Sequence, residues 1–505
     1  MGANDLVLEA QVISNSGPIQ VPIADREKVC LTADGILYVA QSYKQDMSVM
    51  SYIELLKHMD VEYRMVVVSV EQIQKLYAGA QSKTVQNDSS FRQKQIAALI
   101  GEAVKEGASD LHFRNGEKST AVLMRVDGYL EPLHSYNSED GEALCATMYG
   151  SMTDVADTQY KKGTSQDGRI KREFLKSMGL YSARIATRPT NYSNLVVLRL
   201  LYNAGMKKSL LELGYDNDRQ IPLIRRMTKR TTGINIFSGP TGSGKSTSLD
   251  ALLSEMMKQM GSKIHLLTIE DPPEYHIDGA VQTPLICDRD DPEAVGREWT
   301  RSISSSMRLD PDVMMIGEMR DKDSAATAFR AAMTGHGVWT TLHANTALQV
   351  LDRLVDIGVA PTFVTDASLV TGLINQSLAA LNCPDCKRPY LKHKHDVEPD
   401  LQQRIEKHCV PANVFLRGVD RGCKSCKGRG IKGRTVLAEV CIPNQKIMNE
   451  YRRGGGTKAR ALWVKEFNGM TKNAHLIYKI NQGLIDPAVG EEKVCPLDED
   501  EITLA

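Results

Sequence analysis

Ile234-Asn235-Ile236-Phe237-Ser238 is a short apolar strand that runs directly into Gly239-Pro240-Thr241-Gly242-Ser243-Gly244-Lys245-Ser246-Thr247. The second stretch satisfies G-x-x-x-x-G-K-[ST], the spacing at which glycines let backbone N–H groups converge on phosphate oxygens. Lys245 then stands where it neutralises β/γ charge, and the Ser246 hydroxyl is placed to ligate Mg²⁺. Leu249, Leu252, Leu253, Met256, Met257 and Met260 follow at i, i+3, i+4, i+7, i+8 and i+11. That periodicity predicts a helix with one buried stripe and an N-terminus aimed at the phosphates. A chance glycine-rich turn has no reason to be flanked by both elements, so the stretch reads as a nucleotide site.

Moving outward, Val313-Met314-Met315-Ile316 reads as a second strand that delivers Gly317-Glu318 at its C-terminal end. P-loop proteins place there the acid that handles Mg²⁺ or the attacking water. Strands and helices alternate over residues 231–381, the pattern of an α/β sheet. Before it, residues 91–106 carry helical spacing at Ile96, Leu99, Ile100 and Val104, and strands are expected at 121–126, 181–186 and 195–201. Asp127-Gly128 and Asp167-Gly168 read as turns between them. Strands at 35–39 and 65–70 and a helix at 50–59 suggest a small N-terminal domain, followed by a polar linker at 79–90. The divisions read from the chain are 1–90 (N-terminal docking domain and linker), 91–204 (second N-terminal α+β domain), 205–382 (P-loop domain), 383–440 (Cys₄ module) and 441–505 (helical region with an acidic finish).

A chain of 505 residues accommodates about three domains. Its 42% hydrophobic and 25% charged residues exclude wholesale disorder. Lys plus Arg (62) balances Asp plus Glu (62), so net charge gives no reason to expect a general nucleic-acid binder. Apolar runs such as residues 65–68 are far short of the ~20 residues that cross a bilayer. The start MGANDLVLEA has neither the pattern of a secretory signal nor the Ser or Thr at position 6 that myristoylation favours. A cytoplasmic protein that reaches a membrane through a partner is the expectation.

Four of the ten cysteines form Cys383-Pro384-Asp385-Cys386 and Cys423-Lys424-Ser425-Cys426. Two-residue spacing lets both sulfurs of a knuckle face one ion, and two knuckles complete a tetrahedral Cys₄ zinc site with no open position for catalysis. Cys409 lacks a partner at knuckle spacing. Around the second knuckle Arg417, Arg421, Lys424, Lys427, Arg429, Lys432 and Arg434 face only Asp420. This basic collar reads as a structural or docking surface, with RNA or DNA binding as the alternative.

Thr268-Ile269-Glu270-Asp271-Pro272-Pro273-Glu274-Tyr275 lies between the two nucleotide strands, and Gly317-Glu318-Met319-Arg320-Asp321, Thr334-Gly335-His336-Gly337 and Thr341-Leu342-His343-Ala344-Asn345 come after. In that order these motifs resemble the secretion ATPase superfamily, and within it the type II secretion and type IV pilus assembly motors of the GspE/PilB kind, over residues 91–490. The resemblance implies a RecA-like α/β P-loop motor domain preceded by a PAS-like α+β domain and a small N-terminal domain, with a Cys₄ zinc module. It implies a hexameric Mg²⁺-dependent ATPase acting on a polytopic inner-membrane platform protein, peripherally attached to that membrane. Glu318 becomes the Walker B acid, Glu274 the other candidate for orienting water, and His343 a contact to the γ-phosphate region, with His336 nearby. Ala108-Ser109-Asp110-Leu111-His112-Phe113, Arg125-Val126-Asp127-Gly128 and Arg184-Ile185-Ala186-Thr187 are similar to the family's second N-terminal domain, which supplies arginines to the nucleotide. Arg184, then Arg169 and Arg199, are the candidates. A retraction motor, a nucleic-acid translocase and a non-hydrolysing nucleotide sensor are the rival readings.

Overall fold

The computed structural model describes residues 12–14, 19–154, 159–203, 208–287 and 291–504. The leader reading of the first ten residues and the boundary expected at 204/205 lie outside the described residues. Seven strands form the sheet that carries the glycine-rich turn: β1 Gly233–Ser238, β2 Leu266–Glu270, β3 Val281–Pro284, β4 Val313–Ile316, β5 Gly337–Leu342, β6 Val370–Asn382 and β7 Ile431–Cys441. Their order is β3-β2-β4-β5-β1-β6-β7, parallel except for the antiparallel pair β6–β7.

Both faces of this sheet are covered, which is why its strands read as continuous apolar runs. Ile234 and Ile236 of β1 pack with Met314, Val338 and Phe329 in one layer, under helices α2 Pro292–Ser306, α3 Lys322–Met333 and α4 Gln349–Asp356. Phe237 faces the other layer, with Trp339 and the stripe of α1 Lys245–Met260. Leu249, Leu252, Leu253, Met256 and Met257 are buried as the periodicity predicts, each contributing ~1.5–3 kcal/mol of transfer free energy. Met260 is 45% exposed, because it is the last helical residue before Gly261 turns the chain away.

The middle of the chain is α+β. Its sheet has the order Tyr129–Asn137, Ser119–Val126, Asp110–Asn115, Asn194–Tyr202, Leu180–Pro189, Gln166–Ile170, Thr153–Asp154, and every pairing is antiparallel. Helix Ser138–Met152 and the C-terminal half of helix Val70–Lys105 supply the other side of its core, through Leu144, Met148, Ile96, Leu99 and Ala103. Asp127 (φ 49°) and Gly128 (φ 94°) form the tight hairpin turn read from the sequence. Asp167-Gly168 does not turn: it lies inside strand Gln166–Ile170, paired with Ala186 and Ile185, because the ladder to the neighbouring strand overrides local turn preference.

The polar stretch 79–90 is likewise helical rather than a linker. Helix Val70–Lys105 runs through it, started by a capping box at Ser69 and Gln72 and interrupted by no proline. Before it, strands Val29–Leu31, Ile36–Ala40 and Arg64–Val68 form a small sheet, and helix Met47–His58 crosses over between the parallel pair. At the other end, helices Gln445–Phe467, Lys472–Asn481, Pro487–Lys493 and Glu499–Leu504 lie within the expected helical region 441–505, so the acidic finish is itself helical. The acidic finish is folded back on them, with Asp500 accepting from Arg460 at 3.2 Å and from Thr471 at 2.5 Å. Among the described residues no helix is long and apolar enough to cross a membrane.

Candidate nucleotide and metal sites

The C-terminal edge of a parallel sheet is where its strand ends and loops open a crevice. Here β1, β2, β4 and β5 end together around a cleft of about 820 Å³. The floor is the loop 239–247. Gly239, Gly242 and Gly244 adopt φ values of 144°, 78° and 84°, and a Cβ on Gly239 would stand 2.2 Å from the Gln376 carbonyl oxygen. Only glycine fits there. The loop is fastened from β6: Gln376 donates to the Ser243 carbonyl at 2.7 Å and accepts from buried Tyr215 at 2.5 Å. Lys245 Nζ donates to the Gly239 and Pro240 carbonyls at 2.8 and 3.1 Å. Burial pulls the Lys245 pKa down while the charges of Glu318 and Glu274 oppose that shift, so an anion beside it is the natural counter-charge.

Glu318 follows β4 as expected. Its carboxylate accepts from Arg320 Nε at 2.7 Å and lies 3.1 Å from His343 Nε2. The neighbouring backbone is fixed by Thr341, which donates to the Gly317 carbonyl at 2.6 Å. Acid and histidine therefore meet because β4 and β5 are adjacent parallel strands ending at the same edge. Ser246, Glu318 and Glu274 all line the cleft, a hydroxyl-plus-carboxylate donor set of the type that holds Mg²⁺ beside phosphates. Thr247 completes the loop by a 3.0 Å hydrogen bond to Tyr275. Glu270, at the end of β2, is buried, accepts from Thr268 and Gln282 at 2.6 and 3.0 Å, and has its pKa raised by burial. It props the acidic loop rather than opening to solvent.

His336 is not beside His343. It precedes β5 while His343 follows it, so about six strand residues, ~20 Å, separate them. Its ring instead meets the Ala331 carbonyl at 3.1 Å and Thr334 at 3.3 Å.

The middle domain forms the opposite wall of the cleft. Arg184 donates to the Pro272 carbonyl at 2.8 Å and lies 3.6 Å from Glu274. Arg199 lines the cleft and pairs with Asp110 at 3.0 Å. Arg169 reaches the Pro273 carbonyl at 3.4 Å and Ser182 at 2.6 Å; it is paired with Arg184 on the neighbouring strand and does not line the cleft. Three further arginines line the cleft that sequence reasoning did not select, Arg125, Arg320 and Arg434. Arg434 lies on β7, and only the β6–β7 pairing carries it there. Among the basic collar residues it had no distinguishing local signal.

The same pairing assembles the cysteines. β6 ends at Asn382 opposite Ile431, where β7 begins, so residues 383–430 are an excursion from a hairpin whose two ends meet. Cys383, Cys386, Cys423 and Cys426 put their sulfurs within 4.8 Å of one another. The Cys383–Cys423 and Cys386–Cys426 separations are 3.9 and 3.7 Å. A tetrahedron with Zn–S near ~2.3 Å has an edge of ~3.8 Å, so the four thiols fit a zinc ion. Cys409 belongs instead to an apolar cluster with Leu401, Ile405 and Leu416. Two of the seven collar residues are paired with acids of the middle domain: Arg429 contacts Glu106 at 2.9 Å and Glu131 at 2.8 Å, and Lys427 pairs with Glu106.

A phosphate-cradling loop between strand and helix, an acid at the end of β4, one strand removed from β1, and a second domain closing the cleft with arginines define a P-loop ATPase. Residues 85–486 match the family described as Type II/IV secretion system protein, and the chain belongs to that family. It is 34% identical over 396 residues to the Type II secretion system ATPase E of Vibrio cholerae, covering 77% of this chain and 73% of that protein. It is 32% identical over 402 residues to the Type IV pilus assembly ATPase PilB of Thermus thermophilus, covering 79% of this chain but 42% of that one. The Legionella pneumophila ATPase DotB has the same fold, with a TM-score of 0.54 at 20% identity over 78% of this chain and 93% of that one.

Proposed function

We propose that this chain is the motor ATPase of a type IV pilus assembly or type II secretion machine, working as a homo-hexamer on a polytopic inner-membrane platform protein. The observation that carries the reading is the shared cleft, in which the P-loop and Glu318 face Arg184 and Arg199 of another domain. Phosphates sit on the N–H groups of residues 239–247 with Lys245 against the β/γ oxygens. Ser246 and Glu318 would hold Mg²⁺, which would supply positive charge against the developing negative charge of the phosphates. Glu318 or Glu274 orients the attacking water, and Arg184 and Arg199 stabilise the charge that develops on the transferred group, with Arg169 bracing them. His343, paired with Glu318, registers the γ-phosphate and passes its loss to the β5 loop.

Because the arginines and the P-loop belong to different domains, nucleotide state shifts the domains relative to one another, and that displacement is the force-generating step. The strand order around β1 supports a RecA-like core, and the antiparallel sheet with its flanking helices supports a PAS-like reading of 91–204. The Cys₄ module, placed by resemblance with assembly and secretion motors, argues against a retraction motor. Collar residues that already meet Glu106 and Glu131 argue against a nucleic-acid groove. The protein then works in the cytoplasm, held at the inner membrane by its partner.

The test is phosphate release per chain against protein concentration, with Mg²⁺ present, alongside mass measurement in solution. Specific activity that climbs steeply as a hexamer forms supports the ring motor. Nucleotide binding without turnover at any concentration, with or without membranes, leaves only a sensor.

A further inference from the structure

Among the contacts between the middle domain and the rest of the chain, those at the second cysteine knuckle are the most elaborate. Arg429 presents its fork to two acids at once: Nη2 donates to Glu106 at 2.9 Å, and Nε donates to Glu131 at 2.8 and 2.9 Å to its two oxygens. Arg429 and Glu106 are each only 16% exposed, so solvent screens this contact far less than a surface pair. The acids come from separate elements, Glu106 capping helix Val70–Lys105 and Glu131 on strand Tyr129–Asn137.

The arginine is pre-set by its own loop. Gly428 and Gly430 on either side have φ of 78° and 71°, and a Cβ on Gly430 would stand 2.0 Å from the Gly418 carbonyl oxygen. Arg429 donates its N–H to the Cys426 carbonyl at 3.0 Å, and its own carbonyl accepts from Arg417 Nε at 2.8 Å. Close by, Gly433 N–H donates to Asp127 at 2.8 Å, and the Tyr129 ring lies between the Arg417 and Lys493 cations. Asp127 and Tyr129 flank the hairpin turn next to Arg125, which lines the nucleotide cleft. Knuckle and nucleotide wall are thus joined by one rigid hairpin.

We propose that Arg429 is a positioning residue: by clasping Glu106 and Glu131 it seats the middle domain on the cysteine module so that Arg184 and Arg199 face the P-loop. The zinc module is then the anvil on which the second wall of the ATP cleft is set, beyond its role in folding residues 383–430. This rests on the reading that Arg184 and Arg199 serve the nucleotide.

The test is ATP turnover by the full-length chain carrying Arg429→Ala, Arg429→Lys or Glu131→Gln, each alone and with Arg184→Ala/Arg199→Ala. Zinc content, melting temperature and the small-angle scattering radius are read for every variant. Arg429→Ala is expected to lower kcat on the order of tenfold with a smaller change in KM, to enlarge the radius, and to keep its zinc. Arg429→Lys falls in between, since it keeps the charge and loses the fork. In the Arg184→Ala/Arg199→Ala background Arg429→Ala has no further effect, because it acts through those side chains. Glu131→Gln repeats the result from the other side should Arg429→Ala fail to fold. Wild-type turnover in both Arg429→Ala and Glu131→Gln while Arg184→Ala loses it, or a full additional loss in the arginine-less background, overturns the clasp. Wild-type turnover in Arg184→Ala/Arg199→Ala overturns the underlying reading instead.

Discussion

The carboxylate of Glu439, wholly buried on β7, accepts a hydrogen bond from the backbone N–H of Ala347 at 2.8 Å. Ala347 lies four residues beyond His343, so a charge in the C-terminal part of the sheet fixes the loop that carries the histidine. Lys472 donates to the Asn345 carbonyl at 2.7 Å and Asn375 to the Ala344 carbonyl at 2.8 Å, giving that loop three anchors from three elements. The other oxygen of Glu439 is held by Arg460 at 2.8 Å, and Arg460 in turn meets Asp500.

Glu439→Ala therefore leaves the buried Arg460 guanidinium with Asp500 as its one remaining acid and Thr503 as a neutral acceptor, and removes one of the three anchors of the His343 loop. Removing one member of a buried pair costs about 3–5 kcal/mol. Urea unfolding is expected to show a loss of that order, and turnover is expected to fall at temperatures where the variant remains folded. A variant as stable and as active as the wild type would mean that the anchor is idle.

The cysteine cluster predicts about one tightly held zinc per chain, measured by elemental analysis of purified protein. Cys383→Ser and Cys426→Ser each lower that stoichiometry sharply, because three thiolates leave the tetrahedron open. Chelation with a strong zinc ligand makes the knuckles at 383–386 and 423–426 protease-sensitive, since the apolar core that the excursion shares with Leu437, Leu476 and Ile480 holds its middle part, Tyr390 to Leu416, and not the knuckles. Full stoichiometry in Cys383→Ser would assign the metal elsewhere.

His475 is buried, accepts from the Ala438 N–H at 3.1 Å through Nδ1, and has its pKa pulled down to about 3 by burial, with the Lys479 charge adding to the shift. In the unfolded chain the imidazole titrates near ~6.5. Between those values the unfolded state binds the proton and the native state does not, so stability rises with pH across the window and falls as pH drops from about 6.5 towards 3. The slope contributed by this residue approaches ~1.4 kcal/mol per pH unit. Melting temperature against pH should be flatter for His475→Gln, which keeps an acceptor without the titration. Identical slopes for both proteins would remove His475 from the acid limb.

The geometry of the candidate nucleotide site was legible because it is local: strand, glycine turn, Lys245 and helix stripe are consecutive, and Glu318 follows β4 at the same edge of the sheet. The cysteine module was legible for the same reason, as two short spacings carry the whole ligand set. What escaped depends on pairings between distant segments. Arg434 enters the cleft through the β6–β7 ladder, and Arg125 through the seating of a hairpin from another domain. His336 and His343 look adjacent in a short segment, yet a fully extended strand between them sends them to opposite ends of the sheet. At 79–90 the polar composition suggested a linker, whereas the helix capped at Ser69 runs on through Gly79 and the Ser, Asn and Asp residues of 82–90 against their local preference.

The central claim is that hydrolysis depends on the acid at the end of β4, facing Lys245 across the cleft. The decisive measurement compares Glu318→Gln with wild type for both Mg·ATP binding and phosphate release, under conditions where the wild type turns over. The geometry predicts that the variant binds nucleotide at close to wild-type affinity, through the intact P-loop, and hydrolyses it on the order of 10²-fold more slowly or worse. Phosphate release at the wild-type rate would place the catalytic carboxylate elsewhere and contradict the account.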